Sequence, residues 1–198
     1  MSQAIGDVAL HEIIARLVPE RSRVLDLGCG NGALLAHLRD QRGCTGYGVE
    51  LDDTKVLECL QRGVNVLQRN LEEGLSPFGN DSFDVVLQLN SLQNIRNTES
   101  MLRETARVGR QSIVSIPNFA HWPHRLSVLR GRMPVSKSLP YQWYDTPNIR
   151  VSTFADFEVL ARQCGLRVLA SFGMHEHQVV RTWPNLRAST AIFKFERA

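Results

Sequence analysis

The chain has 198 residues with 23 basic and 20 acidic side chains and a net charge of +3, enough for one domain with a sizeable core but not comfortably for two. Its 43% apolar content is that of an ordinary globular protein, no apolar run approaches the roughly 20 residues of a membrane helix, and the balanced charge is no general argument for nucleic acid. The four cysteines, Cys29, Cys44, Cys59 and Cys164, form no CxxC pair, which argues against a disulfide framework or metal site and for a reducing cytoplasm.

The opening "MSQAIGDVALHEIIARLV" lacks the basic start and apolar centre of a secretory signal. Its apolar positions Val8, Leu10, Ile13, Ile14, Leu17 and Val18 recur at helical spacing, and Pro19 ends the run. Val24 to Leu27 reads as a strand, Ala33 to Arg42 as a helix, Cys44 to Leu51 as a strand and Asp53 to Arg62 as a helix closed by Gly63. Val64 to Gln68 is a third strand, "SPFGNDS" a loop, and Phe83 to Leu89 a nearly all-apolar fourth strand, as expected of one covered on both faces. Glu99 to Val108 is helical and Ser112 to Ile116 is a fifth strand. Pro117 to Val151 has no sustained period. Helical character returns over Thr153 to Cys164, with Ser152 or Thr153 as cap, and Leu166 to Phe172 and Thr190 to Phe195 read as a closing strand pair. The alternation predicts an α/β protein with a parallel sheet and helices on both faces.

Between the first strand and its helix lies "VLDLGCGNG", Val24 to Gly32. Gly28, Gly30 and Ala33 satisfy the dinucleotide fingerprint, and Glu50 ends the next strand where a ribose-binding acid belongs. Asp26 argues against that ligand. A pyrophosphate lies on the glycine loop, drawn by the helix N-terminus, and a carboxylate beside it would repel it where charges are poorly screened. S-adenosylmethionine poses the opposite problem, since it carries an ammonium and a sulfonium and no phosphate. A carboxylate at the strand end suits that cation, glycines let the backbone approach it, and Glu50 can take the ribose hydroxyls.

"VLDLGCGNG" resembles the first motif of class I S-adenosylmethionine-dependent methyltransferases, and Glu50 matches that family's ribose acid. The resemblance implies a three-layer sandwich on a mostly parallel, seven-stranded Rossmann-like sheet with an antiparallel last strand. It also implies a cofactor site for S-adenosyl-L-methionine or S-adenosyl-L-homocysteine drawn from Asp26, Gly28, Cys29, Gly30, Gly32, Glu50, Leu51, Asn70, Leu71 and Gln88. Asn70 stands where the family has an acid, although its side-chain oxygen can still accept from an adenine amino group. "LQLNSLQNI" offers Asn90, Ser91, Gln93 and Asn94 after the fourth strand, with no evident general base and no Asn-Pro-Pro-Tyr motif. Methyl transfer needs mainly proximity and alignment, so catalysis is not excluded, but no residue is singled out as catalytic.

Pro117 to Val151 is the individual part of the chain. It holds Trp122, Trp143, Tyr141 and Tyr144, and sets Arg125, Arg130, Arg132, Lys137 and Arg150 against Asp145. Aromatics beside arginines suit an interface, a lid over an anionic substrate, or single-stranded nucleic acid. The few, irregularly spaced basic residues disfavour nucleic acid, and a packed loop with solvated arginines is the plainest alternative. "HWPH" and "HEH" supply the pairs His121 with His124 and His175 with His177. Pro123 disfavours a helix joining the first pair, two ligands do not make a metal site, and all four are expected at the surface or in loops.

"SIVSIPNFAHWPHRL" from Ser112 and "GRMPVSKSLPYQWYDTPNI" from Gly131, together with "GYGVE" and "RGVNVLQRNLEEGL", are similar to the methionine biosynthesis protein MetW family over nearly the whole chain. That resemblance implies a single cytoplasmic domain over residues 1–198 with an inserted aromatic and basic segment, 117–151. It implies the methionine pathway and a partner, homoserine O-acyltransferase (MetX), whose acylation of homoserine the family is thought to support. Neither nucleic acid nor membrane is an expected partner, and a homodimer is compatible with the sequence.

Overall fold

The computed structural model describes residues 2–176 and 178–198, with side chains from residue 10 onward. The chain runs α1 (Ser2–Leu17), β1 (Arg23–Leu27), α2 (Ala33–Arg42), β2 (Thr45–Glu50), α3 (Asp53–Gln61) and β3 (Val66–Gln68). It continues with β4 (Phe83–Leu89), α4 (Thr98–Val108), β5 (Gly109–Pro117), α5 (Trp122–Leu129), α6 (Phe154–Gln163), β6 (Leu166–His175), β7 (Gln178–Val180), α7 (Pro184–Arg187) and β8 (Thr190–Arg197). Single 3₁₀ turns lie at Leu71–Glu73 and Leu92–Asn94.

The strands form one sheet in the order β3-β2-β1-β4-β5-β8-β6-β7. β1 pairs in parallel with β2 and β4, β2 with β3, and β4 with β5. β8 runs antiparallel between β5 and β6. This is the α/β architecture expected, with one strand more. β7 is a three-residue edge hairpin arm whose residues are mostly exposed, too short to carry an alternating pattern.

Each face of the sheet buries its own core. On one, Leu25, Leu27, Val86, Val114, Phe193 and Phe195 pack against α4 and α6 through Leu102, Phe157 and Ala161. On the other, Val24, Val85, Leu87, Ile113 and Ile192 pack against Ile14, Leu34, Leu38 and Cys59. The near-continuous apolar runs of β1 and β4 follow from this double burial. Capping is as the sequence suggests at α6, where the Thr153 hydroxyl accepts from the Asp156 N–H at 3.1 Å. The chain leaves β1 toward β2 on one side and returns to β4 on the other, so a crevice opens beyond the C-terminal ends of β1 and β4.

The largest departure lies in 117–151. Trp122–Leu129 is a helix with Pro123 in its first turn, where a missing N–H costs nothing and a fixed φ favours helix. The proline starts the helix rather than preventing it.

Candidate functional site

Everything at the β1 exit follows from backbone that must bend sharply. Gly28, Gly30 and Gly32 have φ of 78°, 55° and 73°, left-handed values that only glycine adopts freely. Gly28 is doubly required, since a β-carbon there would come 2.8 Å from Cβ of Ser91. Ser91 in turn donates its hydroxyl to the Leu27 carbonyl at 2.7 Å, locking the turn after β4 under the loop. At Gly32 a β-carbon would meet Cys59 Sγ at 2.9 Å, whereas at Gly30 it would meet nothing within 4 Å. The Gly30 backbone therefore fronts open space.

Glu50 organises the loop from the end of β2. Its Oε2 accepts from the Gly30 N–H at 2.8 Å, and its Oε1 from the N–H groups of Leu51 and Asp52 at 2.7 and 3.1 Å. The Gly28 and Cys29 N–H groups both donate to the Val49 carbonyl, at 2.8 and 3.1 Å. Arg69 donates its N–H to the Glu50 carbonyl at 2.9 Å, which brings Asn70 and Leu71 to the same corner. The Asn70 side-chain oxygen accepts from the Glu72 N–H at 3.0 Å and so caps the turn at Leu71–Glu73, with one lone pair left for a ligand. Cys29 turns its thiol away from the crevice. It lies 3.8 Å from Cys59 Sγ and would overlap a β-carbon on Gly48. Burial pushes both thiols up, and the nearby Asp26 and Glu50 carboxylates add to it, so both are packing groups rather than nucleophiles.

Asp26 is 3% exposed and lies between Gly48 of β2 and Leu87 of β4 in register. Burial, reinforced by the nearby Glu50 charge, pushes its carboxyl up to about 7. Two acids face one corner of the crevice, one of them held half-protonated near neutrality. A cation seated there would relieve both the burial and the repulsion.

Asp26, Gly28, Cys29, Gly30, Gly32, Glu50, Leu51, Asn70 and Leu71 thus come together at one corner. Gln88 does not join them. Asp26 pairs with Leu87, so the next residue points to the opposite sheet face. Gln88 is wholly buried there, and neither its side-chain oxygen nor its nitrogen has a hydrogen-bond partner. Among the residues after β4, Gln93 donates to the Asn90 carbonyl at 2.8 Å and Ser91 is committed to Leu27. That turn holds amides and hydroxyls and no proton acceptor of ordinary basicity. The roles of Ser91 and the Val49 carbonyl had no signal in the sequence beyond position.

The site residues fit an S-adenosyl ligand on three counts: a buried carboxylate, Asp26, with no cation beside it among the described residues, an open backbone cradle at Gly30, and an acid fixed at the end of β2 for a ribose. When bound, that ligand supplies an electrophilic methyl on a sulfonium.

Segment 117–151 leaves and rejoins the sheet at one point. Asn118 and Ser152 form a parallel bridge. The Asn118 amide donates to the carbonyls of Asn185 and Ala188 at 3.0 and 2.8 Å, and its oxygen accepts from Ala120 and Phe154. His121 and His124 are 4% and 1% exposed, which corrects the expectation of surface histidines. His124 spans the Asn118 carbonyl at 3.2 Å and the Ser136 hydroxyl at 2.9 Å, pinning α5 to the following loop. The His121 ring lies 5.4 Å from His124 and 4.8 Å from His175, and burial with these two neighbours lowers its pKa to about 4. Among the described residues no three His, Cys, Asp or Glu side chains could hold a metal ion. His177 lies outside the described residues. At the far end, the Ile149 and Arg150 N–H groups both donate to the Gln93 carbonyl, at 3.0 and 2.9 Å. No described helix is long and apolar enough to cross a membrane.

Comparison with known proteins gives this geometry a family. A bifunctional methionine biosynthesis protein MetXA/MetW from Rhodopirellula baltica is 37% identical over 97% of this chain, which matches 34% of that protein. The chain spans between about a third and just under half the length of the curated relatives it matches. Among solved structures, an S-adenosylmethionine-dependent methyltransferase from Thermotoga maritima superposes with a TM-score of 0.70 at 21% identity, covering 96% of this chain and 89% of that one. Magnesium protoporphyrin IX methyltransferase from Synechocystis PCC 6803, with bound S-adenosylhomocysteine, gives 0.65 at 19% identity, covering 100% and 83%. Those two likenesses establish the fold. The family model for methionine biosynthesis protein MetW matches residues 8–195, and the chain belongs to the MetW family.

Proposed function

We propose that this chain is an S-adenosylmethionine-binding accessory subunit of methionine biosynthesis that works in the cytoplasm with homoserine O-acyltransferase (MetX). The observation that carries the reading is the make-up of the crevice. Asp26 and Glu50 are arranged for a cationic adenosyl ligand, yet the turn Asn90–Asn94 offers no base to activate an acceptor. Such a site suits holding the ligand better than consuming it. The relative that joins MetXA and MetW in one polypeptide supports the partner. Asp26, Gly28, Cys29, Gly30, Gly32, Glu50, Leu51, Asn70 and Leu71 would hold S-adenosylmethionine or S-adenosylhomocysteine. Gln88 would reach it only from the far face of β4.

The test is the rate of homoserine acylation by the partner enzyme, with and without this protein, at zero and saturating S-adenosylmethionine. A rate raised by this protein is expected, and a change with the ligand would make it a sensor of pathway output. A rate indifferent to the protein under every condition refutes the accessory role. A second reading, methyl transfer to a small metabolite, is favoured by the fold together with the cation-ready acids. Methyl-labelled cofactor and a panel of methionine-pathway metabolites test it, and absence of labelled product counts against it.

A further inference from the structure

A folded chain gains nothing by leaving large rings in water, yet segment 117–151 does so repeatedly. Trp143 and Tyr144 are 70% and 71% exposed and pack edge to face on each other, with ring centroids 5.6 Å apart. Leu129 and Met133 are 83% and 53% exposed. Arg130 and Arg132 stand beside them, with no ion pair to a carboxylate among the described residues. Trp, Tyr and Arg are the side chains that most often carry binding energy, because they bring area and donors for few rotatable bonds.

The segment is anchored at both ends. Asn118 and His124 fix its start, and the Gln93 carbonyl takes two backbone N–H groups at its end. A surface held in this way loses little entropy when a partner closes on it. Elsewhere α3 exposes Leu57 and Leu60 without a tryptophan, and Trp183, 72% exposed, lies outside this segment with no partner ring among the aromatic contacts of the described residues.

We propose that segment 117–151, which exposes the Trp143–Tyr144 pair and also carries Arg130 and Arg132, is the docking surface for the acyltransferase subunit. The inference rests on the accessory reading above and names the part of this chain that serves it. Charge selects the occupant. A second copy would bring the same excess of arginine and lysine to the contact, with only Asp145 in the segment to offset it. The partner must instead bring carboxylates around an apolar recess. The Rhodopirellula relative, in which the matching region is 34% of a chain named for both activities, shows the two units travelling together in that organism.

The experiment titrates the full-length chain into homoserine O-acyltransferase from the same organism, by calorimetry and sedimentation. The variants are Trp143→Ala with Tyr144→Ala, Arg130→Glu with Arg132→Glu, and Leu57→Ala with Leu60→Ala as the control on α3. The native chain is expected to bind. The aromatic pair should weaken binding about 30-fold or more. The charge reversal should weaken it and flatten its salt dependence, and the control should stay within about twofold. All variants should keep the native melting temperature and S-adenosylmethionine affinity, since the altered side chains are exposed. Native-like binding by the aromatic variant, or loss only in the α3 variant, overturns this surface while the partnership stands. Self-association of the native chain abolished by the aromatic variant overturns the occupant. Failure of the native chain to bind at micromolar concentration removes the partnership itself and this proposal with it.

Discussion

With Asp26 as the proposed seat of the ligand's cation, binding should be a proton-linked event. The Asp26 carboxyl sits at about 7 in the free protein, raised by burial and then by Glu50, and a cationic ligand binds the ionised form. Apparent affinity should then follow the ionised fraction, which rises from about 3% at pH 5.5 to about 75% at pH 7.5, a gain of about 25-fold for a pKa near 7. The ligand's own amino group titrates near 8, so the window below it isolates the protein. At pH 6.5 about three quarters of a proton should leave on binding. Calorimetry of S-adenosylmethionine binding in two buffers of different ionisation enthalpy measures that number directly. Asp26→Asn should bind weakly at every pH and lose the slope. A native affinity that is flat between pH 5.5 and 7.5, or an equal slope in Asp26→Asn, would falsify the assignment of the proton to Asp26.

Asp26 and His121 should oppose one another in the pH dependence of stability. The folded protein holds a proton on Asp26 that the unfolded chain releases between about 3.8 and 7, so this acid's share of stability falls as pH rises through that window. His121, lowered from 6.5 to about 4, does the reverse: the unfolded chain takes up the proton first, and stability falls as pH drops from 6.5 toward 4. Urea unfolding at pH 4.5 to 6.5 should therefore show a steeper acid loss in Asp26→Asn than in the native chain, and a reduced loss in His121→Gln. Gln88→Met should stabilise the ligand-free protein by ~1–3 kcal/mol in urea unfolding, because it removes a fully buried amide with no partner. Gly28→Ala and Gly30→Ala both incur ~1–2 kcal/mol of left-handed strain. Only Gly28→Ala also strikes Ser91, so it should melt lower, while Gly30→Ala should lose more ligand affinity, since its methyl group enters the cradle.

Elements dictated by short-range rules were legible in the sequence. β1 and β4 are runs rich in Val and Leu that are covered on both faces, and the glycine loop with Asp26 and Glu50 is a local motif whose geometry follows from its letters. Three-dimensional context was not legible. Pro123 reads as a helix breaker unless it is known to lie in a first turn. His121 reads as a surface group until β6 brings His175 against it, and His124 until its ring is set between the Asn118 carbonyl and the Ser136 hydroxyl. Gln88 lies on the sheet face opposite Asp26, which only the register with Leu87 reveals. Ser91 matters because its β-carbon meets Gly28 across 63 positions of sequence, a contact with no periodic signature.

The position of β8 bears on how the protein is made. It follows β6 and β7 in the chain but lies between β5 and β6 in the sheet. As the nascent chain emerges, the β1–β5 half can pair in order of synthesis, while β6 can join only the three-residue β7 and not the rest of the sheet. Until Thr190–Arg197 is released, β5 presents an apolar open edge, the kind of edge that recruits strands from other molecules. Phe193 and Phe195, wholly buried in the finished sheet, close that edge last. Ribosomal stalling or cleavage just before Thr190 should thus yield a sticky, chaperone-dependent intermediate rather than a slightly shortened protein.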